Sequence, residues 1–269
     1  MTETTSPSGK DVRHHILITG GSSGIGAALA ELYARPGVAI TLWGRNQERL
    51  QKTAEACRAK GALAEGVVVD LTNPEAAVEA FIRADSERPV DVLINSAGLA
   101  DIRPEGALTE PAEQAIAMSQ VNFTTPVALG CEAGERMARR GYGRIAFLGS
   151  VASFHDLPLA TVYAGSKAGL GRFSTALHAA LHPHNVAVTL IAPGFIDTPM
   201  SQRLEGDQPL LVPVPVAARK IKRAIDQGRA TLVFPWAFQL TRFVEAILPR
   251  PFVHFVLRKL DVMQHPSTH

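Results

Sequence analysis

The chain has 269 residues, 46% of them hydrophobic and 19% charged, with a formal net charge of +2. That length and composition suit one large α/β domain, and the near-neutral balance gives no electrostatic footprint for nucleic acid. Two cysteines, Cys57 and Cys131, form neither a C-x-x-C pair nor a disulfide framework and fit a reduced, cytoplasmic setting, and the histidines show no metal-ligand spacing with carboxylate or thiolate partners, so no metal is expected.

Residues 1–12 are polar and read as a flexible tail without the apolar stretch of a signal peptide. No apolar run reaches membrane-spanning length. Residues 15–19 form a short apolar strand. The turn Gly20-Gly21-Ser22-Ser23-Gly24-Ile25-Gly26 follows at once, and then a helical run that ends at Pro36-Gly37. Strand, glycine-rich turn and helix make a dinucleotide-binding entry: the glycines let the backbone approach a pyrophosphate, and the helix N-terminus favours its charge. The spacing is G-x-x-x-G-x-G rather than the usual G-x-G-x-x-G. Residues 38–43 form the second strand. An acidic residue usually stands near its end to hold a ribose 2′-hydroxyl. Gly44 and Arg45 stand there instead, and the Arg45 guanidinium offers a fork suited to a 2′-phosphate.

A helix over 49–60 leads to a third strand over 66–70 that ends in the Asp70 carboxylate, with Leu71 next. After a helix over 74–84, residues 91–95 form the fourth strand. It ends at Asn95 and opens into Ser96-Ala97-Gly98, where a ligand can come close to the backbone. One long helix is expected over 112–140. It contains Asn122, a poor mid-helix residue that needs a reason, the plainest being solvent exposure.

Residues 145–148 read as a buried strand, closed by Gly149-Ser150. Ser150 therefore sits just beyond the carboxyl end of a strand, where open α/β sheets bind ligands. A loop with Pro158 follows, and Tyr163-Ala-Gly-Ser-Lys167 opens a helix. Tyr163 and Lys167 are four apart and share a helix face. A free tyrosine has a pKa of about 10, and a nearby ammonium should lower it. Ser150 can orient a substrate oxygen while Tyr163 gives or takes a proton. Residues 186–191 form a sixth strand, followed by Pro193-Gly194-Phe195-Ile196-Asp197-Thr198 at the same sheet edge. The proline-rich segment 199–215 reads as an irregular lid. Residues 217–227 return to helix, and 230–234 read as the last strand.

Taken together, these motifs resemble the short-chain dehydrogenase/reductase family, one-domain type, over roughly residues 13–235. The resemblance rests on Thr19-Gly-Gly-Ser-Ser-Gly-Ile-Gly26, Asp70, Asn95-Ser-Ala-Gly98, Asn122, Ser150, Tyr163-x-x-x-Lys167 and Pro193-Gly194 with Thr198. It implies a doubly wound parallel sheet of about seven strands, Rossmann-like, with helices on both faces. It implies Asn122, Ser150, Tyr163 and Lys167 as the catalytic set, the asparagine holding a water that links the lysine to solvent. It also implies cofactor contacts from the glycine-rich turn, from Asp70 at adenine with Leu71 next to it, from Asn95 near the adenine ribose, from Ala97, Gly98 and Tyr163, from Lys167 at the nicotinamide ribose, from Pro193, Gly194 and Ile196, and from Thr198 at the pyrophosphate or carboxamide region. Ser96 replaces the usual second asparagine. Ser23 stands where many NADP-dependent relatives carry Arg or Lys, so the expected preference for NADP(H) over NAD(H) rests on Arg45, with help from Ser22.

Residues 236–269 exceed the core fold. Pro249 and Pro251 divide 236–260 into two short apolar segments, expected as amphipathic helices that end in Arg258 and Lys259. They pack on the protein or a dimer partner, or dock peripherally on a membrane interface. The leading expectation is an NADP(H)-dependent carbonyl reductase or alcohol dehydrogenase for a small apolar, steroid- or lipid-like substrate, acting as a homodimer. The alternatives are a 3-oxoacyl-carrier reductase, with Arg103, Arg172 and Arg203 as candidate docking cations, and a non-catalytic NADPH-binding sensor. Pocket walls are expected from residues 99–103, 151–160 and 195–211.

Overall fold

The computed structural model describes residues 12–205, 208–238 and 263–264. A seven-stranded sheet forms the centre, built from β1 (His14–Thr19), β2 (Val38–Gly44), β3 (Leu63–Val68), β4 (Val92–Asn95), β5 (Gly143–Leu148), β6 (Val186–Pro193) and β7 (Thr231–Phe234). Its spatial order is β7-β6-β5-β4-β1-β2-β3, and every neighbouring pair runs parallel. Parallel pairing requires long crossovers, and these are supplied by the helices α1 (Gly24–Tyr33), α2 (Gln47–Ala59), α3 (Pro74–Glu87), α4 (Ala112–Ser119), α5 (Thr125–Arg140), α6 (Thr161–Leu181) and α7 (Val214–Asp226).

Strand residues alternate between two buried faces. Ile16 and Ile18 of β1 join Ile40, Leu42 and Ile94 against Leu29 of α1, Leu50 of α2 and Ile221 of α7. Leu17 points the other way and joins Leu93, Ile145 and Phe147 against Phe81 of α3, Leu129 of α5 and Leu170 of α6. In the ladder Ile18 lies beside Leu42 on one side and Ile94 on the other. β1 therefore separates the half of the sheet that grows through β2 from the half that grows through β4. That reversal leaves a crevice at the carboxyl ends of β1 and β4, the usual ligand position in such sheets.

Four expectations need correction. The third strand runs over Leu63–Val68 rather than 66–70, because this edge strand is fixed by its ladder to β2, from Ala39 beside Leu63 to Gly44 beside Val68. Asp70 thus lies beyond the strand. The helix expected over 112–140 is interrupted by a π turn at Gln120–Thr124. Asn122 sits in that turn and is fully buried, not exposed. The last helix starts at Val214, with Pro215 in its first turn, where proline is compatible with a helix. The described residues of 199–205 and 208–213 are irregular apart from short pieces at Ser201–Arg203, Leu204–Glu205 and Val212–Pro213. The tail over 1–11 and, beyond Phe238, the two helices expected within 236–260 lie outside the described residues. Among the described residues no helix is long and apolar enough to cross a membrane.

One ionic cluster fixes α3 to α5 where these helices lead into β4 and β5, at the sheet edge away from the crevice. The buried Asp85 carboxylate accepts hydrogen bonds from Val90 N–H at 2.9 Å, Arg140 Nη1 at 3.0 Å and Arg136 Nη1 at 3.2 Å. Removing the anion leaves Val90 N–H unpaired and takes one acceptor from each guanidinium, while Arg136 keeps Glu132 and Arg140 keeps the Val90 carbonyl. Asp85→Ala should lower unfolding stability by about 1.5–3 kcal/mol. Urea titration checks this: the midpoint should fall at unchanged slope, and a loss below about 1 kcal/mol would mean that solvent screens the cluster.

Candidate active site

A cleft of about 980 Å³ opens at the carboxyl ends of the strands and contains most of the expected site residues on its walls. One end is built around the first turn of the fold. β1 stops at Thr19, and α1 begins at Gly24 with no acidic residue in its first turn. Its N-cap, Ser23, makes no side-chain cap, so this helix head faces the cleft with donors available. Gly26 must be glycine: a Cβ there would lie 2.3 Å from the Gly20 carbonyl oxygen. Gly20, Ser22, Ser23, Gly24, Ile25 and Gly26 all line the cleft.

The adjoining wall comes from the ends of β2 and β3. Arg45 is exposed there and faces the cleft, as does Asp70. The Asp70 carboxylate accepts from Thr72 N–H at 2.9 Å and Thr72 Oγ at 2.8 Å. Those bonds hold its pKa below the ordinary value, and the Arg45 guanidinium adds a smaller pull in the same direction. Arg49 also lines this end. It was not expected from the sequence, although a signal was present: Asn46 caps α2 by accepting from Arg49 N–H at 2.8 Å, so Arg45 and Arg49 flank one helix head.

Leu71, Ala97 and Gly98 line the middle of the cleft. Asn95 lies just behind it, 4% exposed, and its side-chain amide has no partner for either its oxygen or its nitrogen. A buried amide left unpaired is costly. Together with the Gly26 cradle and the uncapped α1 head, it matches what a bound dinucleotide would satisfy, and the donor set suits a pyrophosphate.

The other end holds the proton-transfer groups. The extended backbone of Ser150 lets its Oγ accept from Ala152 N–H at 3.1 Å, which caps the short turn at Val151–Phe154. Tyr163 lines the cleft beside Ser150, near enough for the serine side chain to favour the ionised phenol. Lys167 is buried one helical turn later, and its Nζ donates to the Leu148 carbonyl at 2.8 Å. Nζ lies 5.9 Å from the centre of the Tyr163 ring. Behind them, Asn122 Oδ1 accepts from Leu99 N–H at 2.8 Å, while Nδ2 donates to Leu99 O at 2.8 Å and to Ser166 Oγ at 3.3 Å. Ser166 in turn donates to the Tyr163 carbonyl at 2.8 Å. A Cβ on Gly98 would come 3.3 Å from Asn122 Oδ1 and 3.5 Å from Lys167 Nζ, so this glycine brings the asparagine and the lysine to one point. Asn122 itself does not line the cleft.

The expected lowering of the Tyr163 pKa by Lys167 is not what the geometry gives. Burial pushes the phenol up, and the nearby Ser150 side chain offsets part of that rise. Burial pushes Lys167 down to about 8. The phenol therefore holds its proton at neutral pH, while the lysine keeps most of its charge.

Above these groups the wall turns apolar. Leu99, Ile102, Val151, Leu157, Leu159, Phe195, Met200 and Pro209 come from the three regions expected. Phe238 joins them from the C-terminal segment and packs on Gly194. Pro193, Ile196 and Thr198 complete this rim. None of Arg103, Arg172 and Arg203 lines the cleft. Arg203 pairs with Asp101 at 2.7 Å. Among the described residues no cluster of His, Cys, Asp or Glu could hold a metal ion.

Residues 14–209 match the family model for short chain dehydrogenase. An uncharacterized oxidoreductase of Myxococcus xanthus is 29% identical over 245 residues, which cover 91% of this chain and 96% of that protein. Short-chain reductase protein NovJ of Streptomyces niveus is 33% identical over 225 residues, covering 81% and 85%. Among solved structures, a short-chain dehydrogenase from Sphingobium yanoikuyae in complex with NADPH is 27% identical, covers 88% of this chain and 97% of its own, and superposes with a TM-score of 0.76.

Proposed function

The chain belongs to the short-chain dehydrogenase family, and from that membership we propose that it interconverts a ketone and a secondary alcohol, with NADP(H) as its cofactor and an apolar molecule as its substrate. The observation that carries this reading is the placing of Ser150, Tyr163 and Lys167 together on one wall of the cleft, with Lys167 Nζ 5.9 Å from the centre of the Tyr163 ring, under an apolar rim. The Myxococcus and Streptomyces relatives, an oxidoreductase and a reductase by name, favour the same reaction class.

When bound, the nicotinamide supplies or accepts the hydride. The chain's own residues do the rest. The glycine-rich turn and the α1 head would hold the pyrophosphate. Asp70 and Leu71 would take the adenine, and Asn95, Ala97 and Gly98 its ribose. Lys167 and Tyr163 would hold the nicotinamide ribose, and Pro193, Gly194, Ile196 and Thr198 would border the nicotinamide. In reduction, the Ser150 hydroxyl orients the ketone oxygen and Tyr163 Oη gives it a proton. The phenolate left behind is stabilised by the Lys167 ammonium. The raised pKa of Tyr163 keeps the proton in place at neutral pH, which suits the reductive direction. In oxidation the same phenol must first lose its proton, so that direction should quicken as pH rises. The apolar wall favours a neutral, hydrophobic ketone.

The NADP(H) preference rests on Arg45, with Ser22 and Arg49 beside it. One charge-assisted contact is worth about 1.5–3 kcal/mol. Arg45→Ala should therefore weaken NADPH binding by roughly tenfold to a hundredfold and leave NADH unchanged. Fluorescence titration of both cofactors on both proteins checks it. Equal affinities in the unaltered protein, or a preference unaffected by Arg45→Ala, would count against the assignment. Homodimer formation, and the choice between subunit and membrane contact for residues 236–260, belong to the same proposal and rest on the sequence pattern.

A further inference from the structure

We propose that Glu110 is a positioning residue for Tyr163: its buried carboxylate ties the head of α4 to the head of α6 and so fixes the phenol. The inference rests on the reading of Tyr163 as proton donor.

The first turn of a helix leaves backbone N–H groups without intrahelical partners. α6 begins at Thr161, and its N-cap is Ala160, which makes no side-chain cap. Glu110 supplies the acceptor from a distant part of the chain. Its Oε1 accepts from Val162 N–H at 3.0 Å, and its Oε2 accepts from the Thr161 hydroxyl at 2.8 Å. Glu110 is 7% exposed, so water competes little for either bond. Its negative charge also sits at the positive end of the 21-residue α6.

Glu110 directly precedes Pro111, the N-cap of α4. α4 leads straight into the π turn that holds Asn122. One side chain thus joins the two helical segments that carry Asn122, Tyr163 and Lys167. Tyr163 is the next residue after Val162, so any shift of the α6 head moves the phenol. The same first turn is held from its other side by Ser166, which bonds to the Tyr163 carbonyl and accepts from Asn122. Glu110 does not line the cleft, so it acts through Tyr163 rather than on substrate.

The test uses full-length wild type, Tyr163→Phe, Glu110→Ala, Glu110→Gln and Glu110→Asp, assayed with NADPH and a panel of aryl and alicyclic ketones. A misplacement of about 1 Å costs up to about a hundredfold in rate. Glu110→Ala should lower kcat by roughly tenfold to a hundredfold, with NADPH affinity held within about twofold. Glu110→Gln keeps an acceptor for Val162 N–H and should restore kcat to within about threefold of wild type. Amide exchange in the peptide spanning 161–165 should quicken in Glu110→Ala and not in Glu110→Gln. Should the alanine variant fail to fold, Glu110→Asp decides: it keeps the charge and withdraws the carboxylate by one methylene, and should still lose about tenfold in kcat. Wild-type kcat in Glu110→Ala or Glu110→Asp, or equal losses in Gln and Ala, would overturn the proposal. If Tyr163→Phe retains turnover, the catalytic reading fails and this proposal falls with it. If Tyr163→Phe is inactive while Glu110→Ala turns over normally, only the positioning role is lost.

Discussion

Tyr163→Phe should abolish ketone reduction while the protein still binds NADPH. The phenol is the group in this site placed to deliver a proton: it lines the cleft beside Ser150 and holds its proton at neutral pH because burial raises its pKa. Phenylalanine keeps the ring and removes only the oxygen, so the α6 backbone and Lys167 need not move. Removing a positioned general acid costs about 10²–10⁴-fold in rate. In the variant, kcat should therefore fall by at least two orders of magnitude, while NADPH binding weakens by no more than about tenfold, the worth of one ribose hydrogen bond. Steady-state rates and a cofactor titration on the same preparation check both halves. A kcat within about tenfold of wild type would remove Tyr163 from the reaction.

Lys167 carries the second large expectation, and its two consequences have opposite signs. Lys167 is 5% exposed, and burial brings its pKa from the ordinary 10.5 to about 8. In the unfolded chain the amine keeps its ordinary pKa. Between about pH 8 and 10.5 the unfolded chain therefore binds a proton that the folded protein lacks, so this group makes stability rise with pH across that window. Below pH 8 both states are charged, and the buried ammonium destabilises the fold by roughly 3 kcal/mol. Lys167→Met removes that burden and also removes the bond to Leu148 O, itself worth about 1 kcal/mol. The variant should be more stable than wild type at pH 7 by about 1–2 kcal/mol, and the gain should shrink above pH 8. It should also lose turnover, because no ammonium supports the phenolate, and bind NADPH more weakly. Thermal unfolding at pH 7 and pH 9.5, set beside kcat and a cofactor titration, reads all of this. A variant that is destabilised at both pH values, or that retains wild-type turnover, would contradict the role given to Lys167.

The parts of the fold that the sequence exposed are those fixed by local pattern. A buried strand, a glycine-rich turn and a helix announce β1 and α1, since the Gly26 position excludes a Cβ whatever surrounds it. The Tyr163–Lys167 spacing is helical and local, and it survives into the structure. What depends on tertiary packing was less legible. The end of β3 follows its ladder to β2 rather than its own run of valines. The π turn at Gln120–Thr124 is invisible in a helical pattern, and it is what buries Asn122 against Leu99. The direction of the Tyr163 shift was misread because residue types show a nearby ammonium and do not show burial. Glu110 looks like an ordinary loop acid, since its partners lie more than 50 residues on in the chain. Phe238 reaches the cleft from a segment that the sequence set apart as an extension.

Stability and turnover pull against each other in this site. A buried ammonium, an unpaired Asn95 amide and an uncapped α1 head are each unfavourable for the protein alone. A dinucleotide would relieve the last two, so the protein should gain thermal stability on binding NADPH, in proportion to its affinity.

The most direct test of the proposed chemistry follows the hydrogen atoms. Wild-type protein is mixed with NADPH deuterated at the transferable position of the nicotinamide and with a panel of apolar ketones, and the products are read by mass spectrometry. The expected result is a secondary alcohol carrying one deuterium on its carbinol carbon, formed by wild type and not by Tyr163→Phe. Tight NADPH binding with no alcohol from any ketone would contradict it, and would identify the protein as a cofactor-binding sensor rather than a reductase.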